Sequence, residues 1–316
     1  MEKMNILKMI KTKKAKMNIS FEEIVEKWLE YKKIDIKKSS YSNYEYKISK
    51  YLMPYLKNKS ITQIEKYDFN QLINQISIEL SPKTVRDIIC ILKAILNYME
   101  KEYNCKFKKD NIISPKLKRE RVEIFSNSEK NKIEKYCMKE NSAKELGILL
   151  CLNTGMRIGE ICALKWKDID LDRRIIYVCS TMERIYDKNL KRTKIIIDTP
   201  KTKSSMREIP MSNKLYNVLK PLKKKCNNNQ FFLTGDENKY IEPRSYQYIY
   251  KRALRKCKLK PHKFHCLRHS FASECIEVGM DIKALSEILG HSNVNITLNI
   301  YVHSSYKNKK KYLEKI

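Results

Sequence analysis

The sequence predicts a mainly α protein in two parts: an all-helical unit over 18–103 and a mixed α/β unit over 122–316 with a small antiparallel sheet. Three observations carry that prediction. Apolar residues recur at helical spacing through most of the chain, as at Phe21, Ile24, Val25, Trp28 and Leu29. The strand candidates all fall past residue 170, at 175–179, rich in apolar and β-branched residues, and at 195–197 and 207–209. Between the two parts, the stretch 104–121 has no period at all. The length of 316 residues suits one large domain or two ordinary ones.

Taken in order, Ser20 heads the first helix with Glu23 three residues on, a spacing at which cap and glutamate satisfy each other's free backbone groups. After a polar stretch at 37–39, a second periodic segment runs over 41–53. Pro54 has no N–H and is expected to kink or end it. A third helix covers 67–78. Ser81-Pro82 opens a fourth, with a serine cap and a proline in the first turn, that runs to about residue 102. Its apolar face (Val85, Ile88, Ile89, Leu92, Ile95, Leu96, Met99) lies opposite Lys93 and Asn97, as a half-buried helix requires. The linker 104–121 carries Lys106, Lys108, Lys109, Lys116, Lys118, Arg119 and Arg121. It either wraps a polyanion or is a plain solvated connector. Beyond it the pattern predicts helices over 126–136, 143–153 and 157–166. The strand 175–179 is expected to pair with 195–197 across a polar turn near Asp187-Lys188-Asn189. A third strand, 207–209, is closed by Pro210. Helices resume over 214–220, 246–257, 266–278 and 282–289. The tail 304–316, with Tyr312, Leu313 and Ile316, is either a frayed end or a helix offered to a neighbour.

The formal net charge is +30, far outside the roughly 2–8 units that keep a small domain soluble. A surface this positive attracts polyanions. Hydrophobic residues at 42% suffice for real cores, which excludes global disorder. A biased genome composition accounts for part of the lysine and isoleucine content, but such bias supplies glutamate too and does not explain the sign imbalance. None of the ten cysteines forms a CxxC pair and several sit in apolar runs, so they read as reduced, buried thiols rather than a disulfide frame or zinc site. The first 17 residues are basic without a sustained apolar segment, which argues against a signal peptide. No stretch approaches the ~20 apolar residues of a membrane span. A soluble, cytoplasmic protein is the expectation.

Three clusters carry chemistry. In Thr154-Gly155-Met156-Arg157-Ile158-Gly159-Glu160, two of the six glycines fall within five positions and permit a tight turn and a close approach at Arg157. Ile158, Ile161, Cys162 and Leu164 can anchor the helix, leaving Arg157 a fixed guanidinium suited to a phosphate. An ion pair between Arg157 and Glu160 is the plain alternative, and it would equally hold the fork in place. In His265-Cys266-Leu267-Arg268-His269, the three-residue spacing puts His265 and Arg268 on neighbouring faces of one turn, able to meet a small anion together. Too few ligands surround them for a metal site. The third cluster is Leu289-Gly290-His291, followed by Thr297 and Tyr301; Gly290 ends a helix and His291 follows at a turn. One tyrosine among 20 carries no weight unless the other clusters point to it.

Together these clusters resemble the tyrosine recombinase, or phage integrase, family over essentially the whole chain. The look is closest to integrases of conjugative elements and temperate phages. The arginine box is 154–161, with Leu164 and Trp166 continuing the pattern; the H-x-x-R box is His265 to Arg268; the L-G-H box is 289–291; and the nucleophile is Tyr301. The hairpin lysine of the family falls in 200–207 and is assigned to Lys201, with Lys203 as the alternative. The ordered set of boxes is specific, whereas any one box alone is not.

The resemblance implies a basic tail (1–17), a helical core-binding, DNA-binding domain (18–103), a linker (104–121) and a mixed α/β catalytic domain with its C-terminal tail (122–316). It implies that Tyr301 attacks the scissile phosphate of DNA to form a 3′-phosphotyrosyl link, while Arg157 and Arg268 hold the non-bridging oxygens. Lys201 would protonate the leaving 5′-oxygen, His265 and His291 would transfer protons or bond the phosphate, and Glu160 would orient its neighbours. It implies no metal, ATP or other cofactor. The implied partners are double-stranded DNA at attachment or crossover sites, a homo-tetramer in synapsis, and a directionality factor or host DNA-bending protein, in a nucleoid-associated setting without a membrane. Two departures stand out. Lys-Thr-Lys-Ser-Ser replaces the Gly-Lys-Gly type hairpin of the Xer subgroup, which disfavours chromosome dimer resolution. Only about 17 residues precede the first helix, where many relatives carry an arm-binding domain. Either arm sites are lacking, or the basic tail does a reduced version of that work, or the chain is truncated. The competing readings are a non-catalytic DNA-binding protein and a type IB topoisomerase-like enzyme.

Overall fold

Ser20 caps the first helix as its sequence requires: its N–H donates to Glu23 Oε2 at 2.8 Å and its Oγ accepts from the Glu23 N–H at 3.3 Å. In the computed structural model, which describes residues 18–117, 122–187, 190–200, 203–224, 226–301 and 314, this helix is α1 (Phe21–Asp35). Next, α2 (Lys38–Lys47) continues through a π-helical turn, Ile48–Leu52, into α3 (Met53–Leu56). Pro54 therefore does not end the helix. It lies in the first turn of α3, where a missing N–H breaks no bond, and the wider turn ahead of it absorbs the change of register. A short α4 (Ile61–Glu65) had no place in the sequence reading, although Ser60-x-x-Gln63 is the same capping signal as at Ser20, with the Ser60 N–H 2.9 Å from Gln63 Oε1. Then come α5 (Phe69–Glu79) and α6 (Pro82–Tyr103).

The chain divides into two compact units, Met1–Glu120 with Arg184–Lys194, and Arg121–Glu183 with Ile195–Ile316. The first has a core of Phe21, Trp28, Leu52, Leu72, Ile88 and Leu92 with their neighbours. Part of the stretch expected to be a featureless connector is anchored to that core. Cys105, Phe107 and Ile112 are buried in it, and Asn70 brackets the chain by donating to Asn111 O and accepting from the Ile113 N–H, both at 2.9 Å.

The second unit is built on α7 (Asn127–Glu140), α8 (Ala143–Thr154), α9 (Ile158–Ala163), α10 (Asn213–Lys223), α11 (Pro243–Lys256), α12 (His265–Glu277), α13 (Ile282–Leu289) and α14 (Val294–Tyr301). All of 145–152 on α8 is buried, which makes it the central helix. The strands form two sheets. β1 (Ile169–Asp170), β2 (Ile175–Val178) and β5 (Arg207–Pro210) are antiparallel in the order β1-β2-β5, with Ile176 opposite both Ile169 and Ile209. The second sheet pairs β3 (Thr181–Asp187) with β4 (Arg192–Asp198), and its Arg184–Lys194 portion groups with the first unit. The segment 195–197 therefore pairs with β3 and not, as the sequence reading had it, with 175–179. In β3 the buried residues are Met182 and Ile185, three apart, so the strand shows no period of two.

All ten cysteines are unpaired thiols, but Cys90 and Cys179 are exposed rather than buried.

Candidate active site

Four loops and helix starts converge in the second unit. α8 ends at Thr154, whose Oγ1 donates to Leu150 O at 2.6 Å, and Gly155 turns the chain at φ +65°. A Cβ there would meet Leu289 Cδ2 and Phe271 Cδ1, both at 2.7 Å. Gly159 answers a different need from the one expected of it: its Cα faces β3, where a Cβ would meet the Met182 carbonyl oxygen at 2.7 Å. Between these glycines Arg157 stands at the N-cap of α9 with extended backbone.

Glu160 secures Arg157 twice, accepting from its backbone N–H and from Nη1, each at 2.8 Å. Arg157 Nη2 donates to Gly290 O at 2.9 Å. The Arg157 side chain keeps 35% of its surface open while that of Glu160 keeps 1%. The predicted ion pair and the predicted fixed fork are thus one arrangement. Burial pushes the Glu160 carboxyl up, but hydrogen bonds from Arg207 and the charges of Arg207 and Arg157 outweigh it and hold it below its ordinary value.

Arg268 lies on the buried side of α12, 1% exposed. Its Nη1 donates to Gly155 O at 2.7 Å, and its Nη2 lies 2.8 Å from Leu289 O and 2.9 Å from His291 Nε2. A guanidinium only donates, so His291 Nε2 is the acceptor and the ring proton sits on Nδ1. From there it donates to Thr297 Oγ1 at 2.8 Å. Thr297 is fully buried, which accounts for its place in the third cluster. His265, the first residue of α12, lies at the open edge of the site with its ring 4.5 Å from His269 in a T-shaped contact. Desolvation, then neighbouring positive charge, pulls His265, His269 and His291 each down to about 4. Arg268 acts on all three, and Arg157 on His265 and His291.

The structure thus brings Arg157, His265, Arg268 and His291 together. Arg268 does not share an open face with His265, as the three-residue spacing suggested. Lys201 lies outside the described residues, and of Lys203 and Tyr301 only the backbone is described: Lys203 in a 3₁₀ turn (Lys203–Ser205), Tyr301 as the last residue of α14. Sequence reading missed Arg207. This first residue of β5 has a side chain only 5% exposed, and its Nη2 and Nη1 reach Glu160 Oε2 and Oε1 at 2.9 and 3.1 Å. Nothing local marks it, since an arginine opening a short strand beside a basic stretch reads as a surface residue. Three guanidinium groups gather here with one carboxylate, which pairs with two of them, Arg157 and Arg207, and the imidazoles are neutral near pH 7. That surplus suits an anion with several oxygens, such as a phosphodiester.

Comparison with known proteins places the chain by family and fold. The Phage integrase family model matches residues 117–308, and that of the phage integrase N-terminal SAM-like domain matches 20–77. A tyrosine recombinase XerC-like protein of Caldanaerobacter subterraneus subsp. tengcongensis is 33% identical over 282 residues, covering 81% of this chain and 70% of that one. The ICEBs1 integrase of Bacillus subtilis is 28% identical over 311 residues, covering 93% of this chain and 81% of that one. Among solved structures, the Tn1549 transposon integrase in complex with transposon right end DNA has a TM-score of 0.75 at 21% identity, covering 94% of this chain and 99% of that one. A lambda integrase tetramer bound to a Holliday junction has a TM-score of 0.64 at 15% identity, covering 92% and 80%.

Proposed function

The chain belongs to the phage integrase family, and we propose that it cleaves and rejoins DNA as a tyrosine-type site-specific recombinase. The observation that carries this reading is the Arg157 fork, held by Glu160 and Gly290 O yet open over a third of its side chain, among neutral imidazoles. A diester oxygen meets a cation there that needs no reorganisation, the condition under which charge developing in a transition state is stabilised most. The Tyr301 phenol oxygen attacks phosphorus, and the bond to the 5′-oxygen breaks. Lys201, with Lys203 as the alternative, supplies the proton that makes the leaving group a hydroxyl. His265, neutral and at the open edge, takes up the phenol proton. Arg268 and His291 act as a pair. To reach a phosphate oxygen Arg268 must turn Nη2 from Leu289 O or His291; His291 then bonds the same phosphate in its other tautomer, with the proton on Nε2 and Nδ1 accepting from the Thr297 hydroxyl. The tyrosyl link conserves the diester energy, so a 5′-hydroxyl from another strand reverses the step.

The first unit serves as the core-binding domain and the second as the catalytic domain. The partners are duplex DNA and further copies of this chain; the transposon integrase solved in complex with DNA and the lambda integrase solved as a tetramer on a Holliday junction support this assembly. A directionality factor or host bending protein belongs to the same reading. Among the described residues no helix is long and apolar enough to cross a membrane, and the cytoplasm, where the nucleoid lies, is the proposed setting.

The test is a library of nicked suicide duplexes with randomised cores, incubated with the protein and denatured. Wild type is expected to retain covalently bound DNA on the Tyr301 peptide, and Tyr301→Phe none. DNA binding without any adduct would return the non-catalytic reading, and relaxed circles without joined recombinants the topoisomerase one. Family membership and the assembled arginine–histidine set favour neither.

A further inference from the structure

Arg207 makes more directed contacts than any role in β5 demands. Its Nη2 and Nη1 grip the two oxygens of Glu160, its Nε donates to Ile288 O, and Nη1 also reaches Ser205 O at 3.1 Å. These partners lie in three separate places: α9, whose N-cap is Arg157; the end of α13, just ahead of His291; and the 3₁₀ turn that follows the lysine-bearing stretch. The turn at Gly290 is moulded around it. At φ +66°, a Cβ on Gly290 would lie 3.0 Å from Arg207 Nη1 and 3.1 Å from Ser204 O. The Gly290 carbonyl in turn receives Arg157 Nη2 at 2.9 Å. Arg157 is thus held at both ends by groups that Arg207 holds: Glu160 on Nη1 and the Ile288–Gly290 turn on Nη2.

A buried arginine–carboxylate pair adds little stability once the desolvation of both charges is counted. What it does well is fix geometry, because the planar fork matches a carboxylate in one orientation. The geometry points to Arg207 as a positioning residue for strand cleavage, acting through Glu160 and the 288–290 turn to aim Arg157, an inference that rests on the recombinase reading. Arg207 itself is buried and does not touch DNA. Lysine in its place keeps the charge but cannot span both Glu160 oxygens and Ile288 O at once, so Arg157 loses its aim while Glu160 stays paired.

The experiment uses the full-length chain and the duplex enriched in the suicide-substrate selection, with the scissile phosphate intact or replaced by a methylphosphonate. The replacement turns one non-bridging oxygen into a methyl group, removes the negative charge and with it most of the demand on Arg157; the bonds made and broken are unchanged. Arg207→Lys is expected to bind both duplexes as wild type does. Its adduct formation relative to wild type should fall on the order of 10²-fold on the phosphate, as for a reacting group misplaced by about an ångström. Most of that gap should close on the methylphosphonate. A merely structural role would leave equal gaps on both substrates. Equal gaps, or no gap on either, overturn the proposal. If Arg207→Lys does not fold, the charge-neutral pair Glu160→Gln/Arg207→Gln takes its place, with the same closing gap required. No adduct from wild type on either duplex would sink the recombinase reading and this inference with it. A wild type that cleaves alongside a variant that cleaves equally well overturns this inference alone.

Discussion

Three imidazoles stand among arginines, and none is charged near neutral pH. His269 and His291 are both half-buried and both sit at about 4, against an ordinary value of 6.5. For His291 the cause is desolvation first, then the fields of Arg268, Arg157 and Arg207. The consequence for stability has a definite sign. Between pH 6.5 and 4 the unfolded chain takes up protons at these histidines and the folded chain does not, so stability falls as pH falls through that window. Thermal melts at fixed ionic strength should show Tm declining from pH 6.5 to 4, and the decline should be shallower in His291→Gln. Parallel slopes in the two proteins would mean that His291 is not held neutral by the fold. At this scale the sequence was readable where a contact follows short spacing, as from Arg157 to Glu160 and in the Gly290 turn that ends a helix ahead of His291. It was silent on Arg207, because a charged side chain is buried only when a partner from elsewhere in the chain meets it.

Elements were legible where the signal lies within a turn. The serine cap with a glutamate three residues on opens α1 as read, and the apolar face of α6 is buried as read. The π turn before Pro54 and the pairing of β3 with β4 were not legible. Both depend on which neighbour the backbone finds rather than on local preference. The α8–α9 turn shows how an element serves the site. Gly155 needs a left-handed backbone and no side chain, since Leu289 and Phe271 fill the space. Alanine there should cost about 2–4 kcal/mol, combining left-handed strain with overpacking. Urea unfolding of Gly155→Ala should show a lower midpoint at unchanged m-value. An unaltered midpoint would mean that the turn tolerates a side chain.

For the whole molecule, the charge of +30 finds its use in the partner. Only a few of the basic residues gather at the candidate site, so most of the charge acts at longer range on a phosphate backbone or faces solvent. Binding to a duplex of arbitrary sequence should therefore weaken steeply with salt. With several phosphates neutralised, affinity should fall about 10³-fold or more between roughly 50 and 200 mM monovalent salt. A mobility-shift titration checks this, and a loss of less than tenfold would mean that the charge is not directed at DNA. The two units each carry their own core, consistent with a chain too long for one.

By itself the sequence determined where most helices begin, that the partner is a polyanion, and, through three ordered boxes and the tyrosine that follows them, the family and the reaction. Each of these is written within a few residues or in a simple sum of charges. The tertiary structure alone decided which guanidinium is open and which is sealed. Arg157 is open because Glu160 and a carbonyl 133 residues away hold one side of it; Arg268 is sealed by carbonyls 113 and 21 residues away. Arg207 meets Glu160 across 47 residues. Contacts at such separations form only when the core packs, and no local preference encodes them.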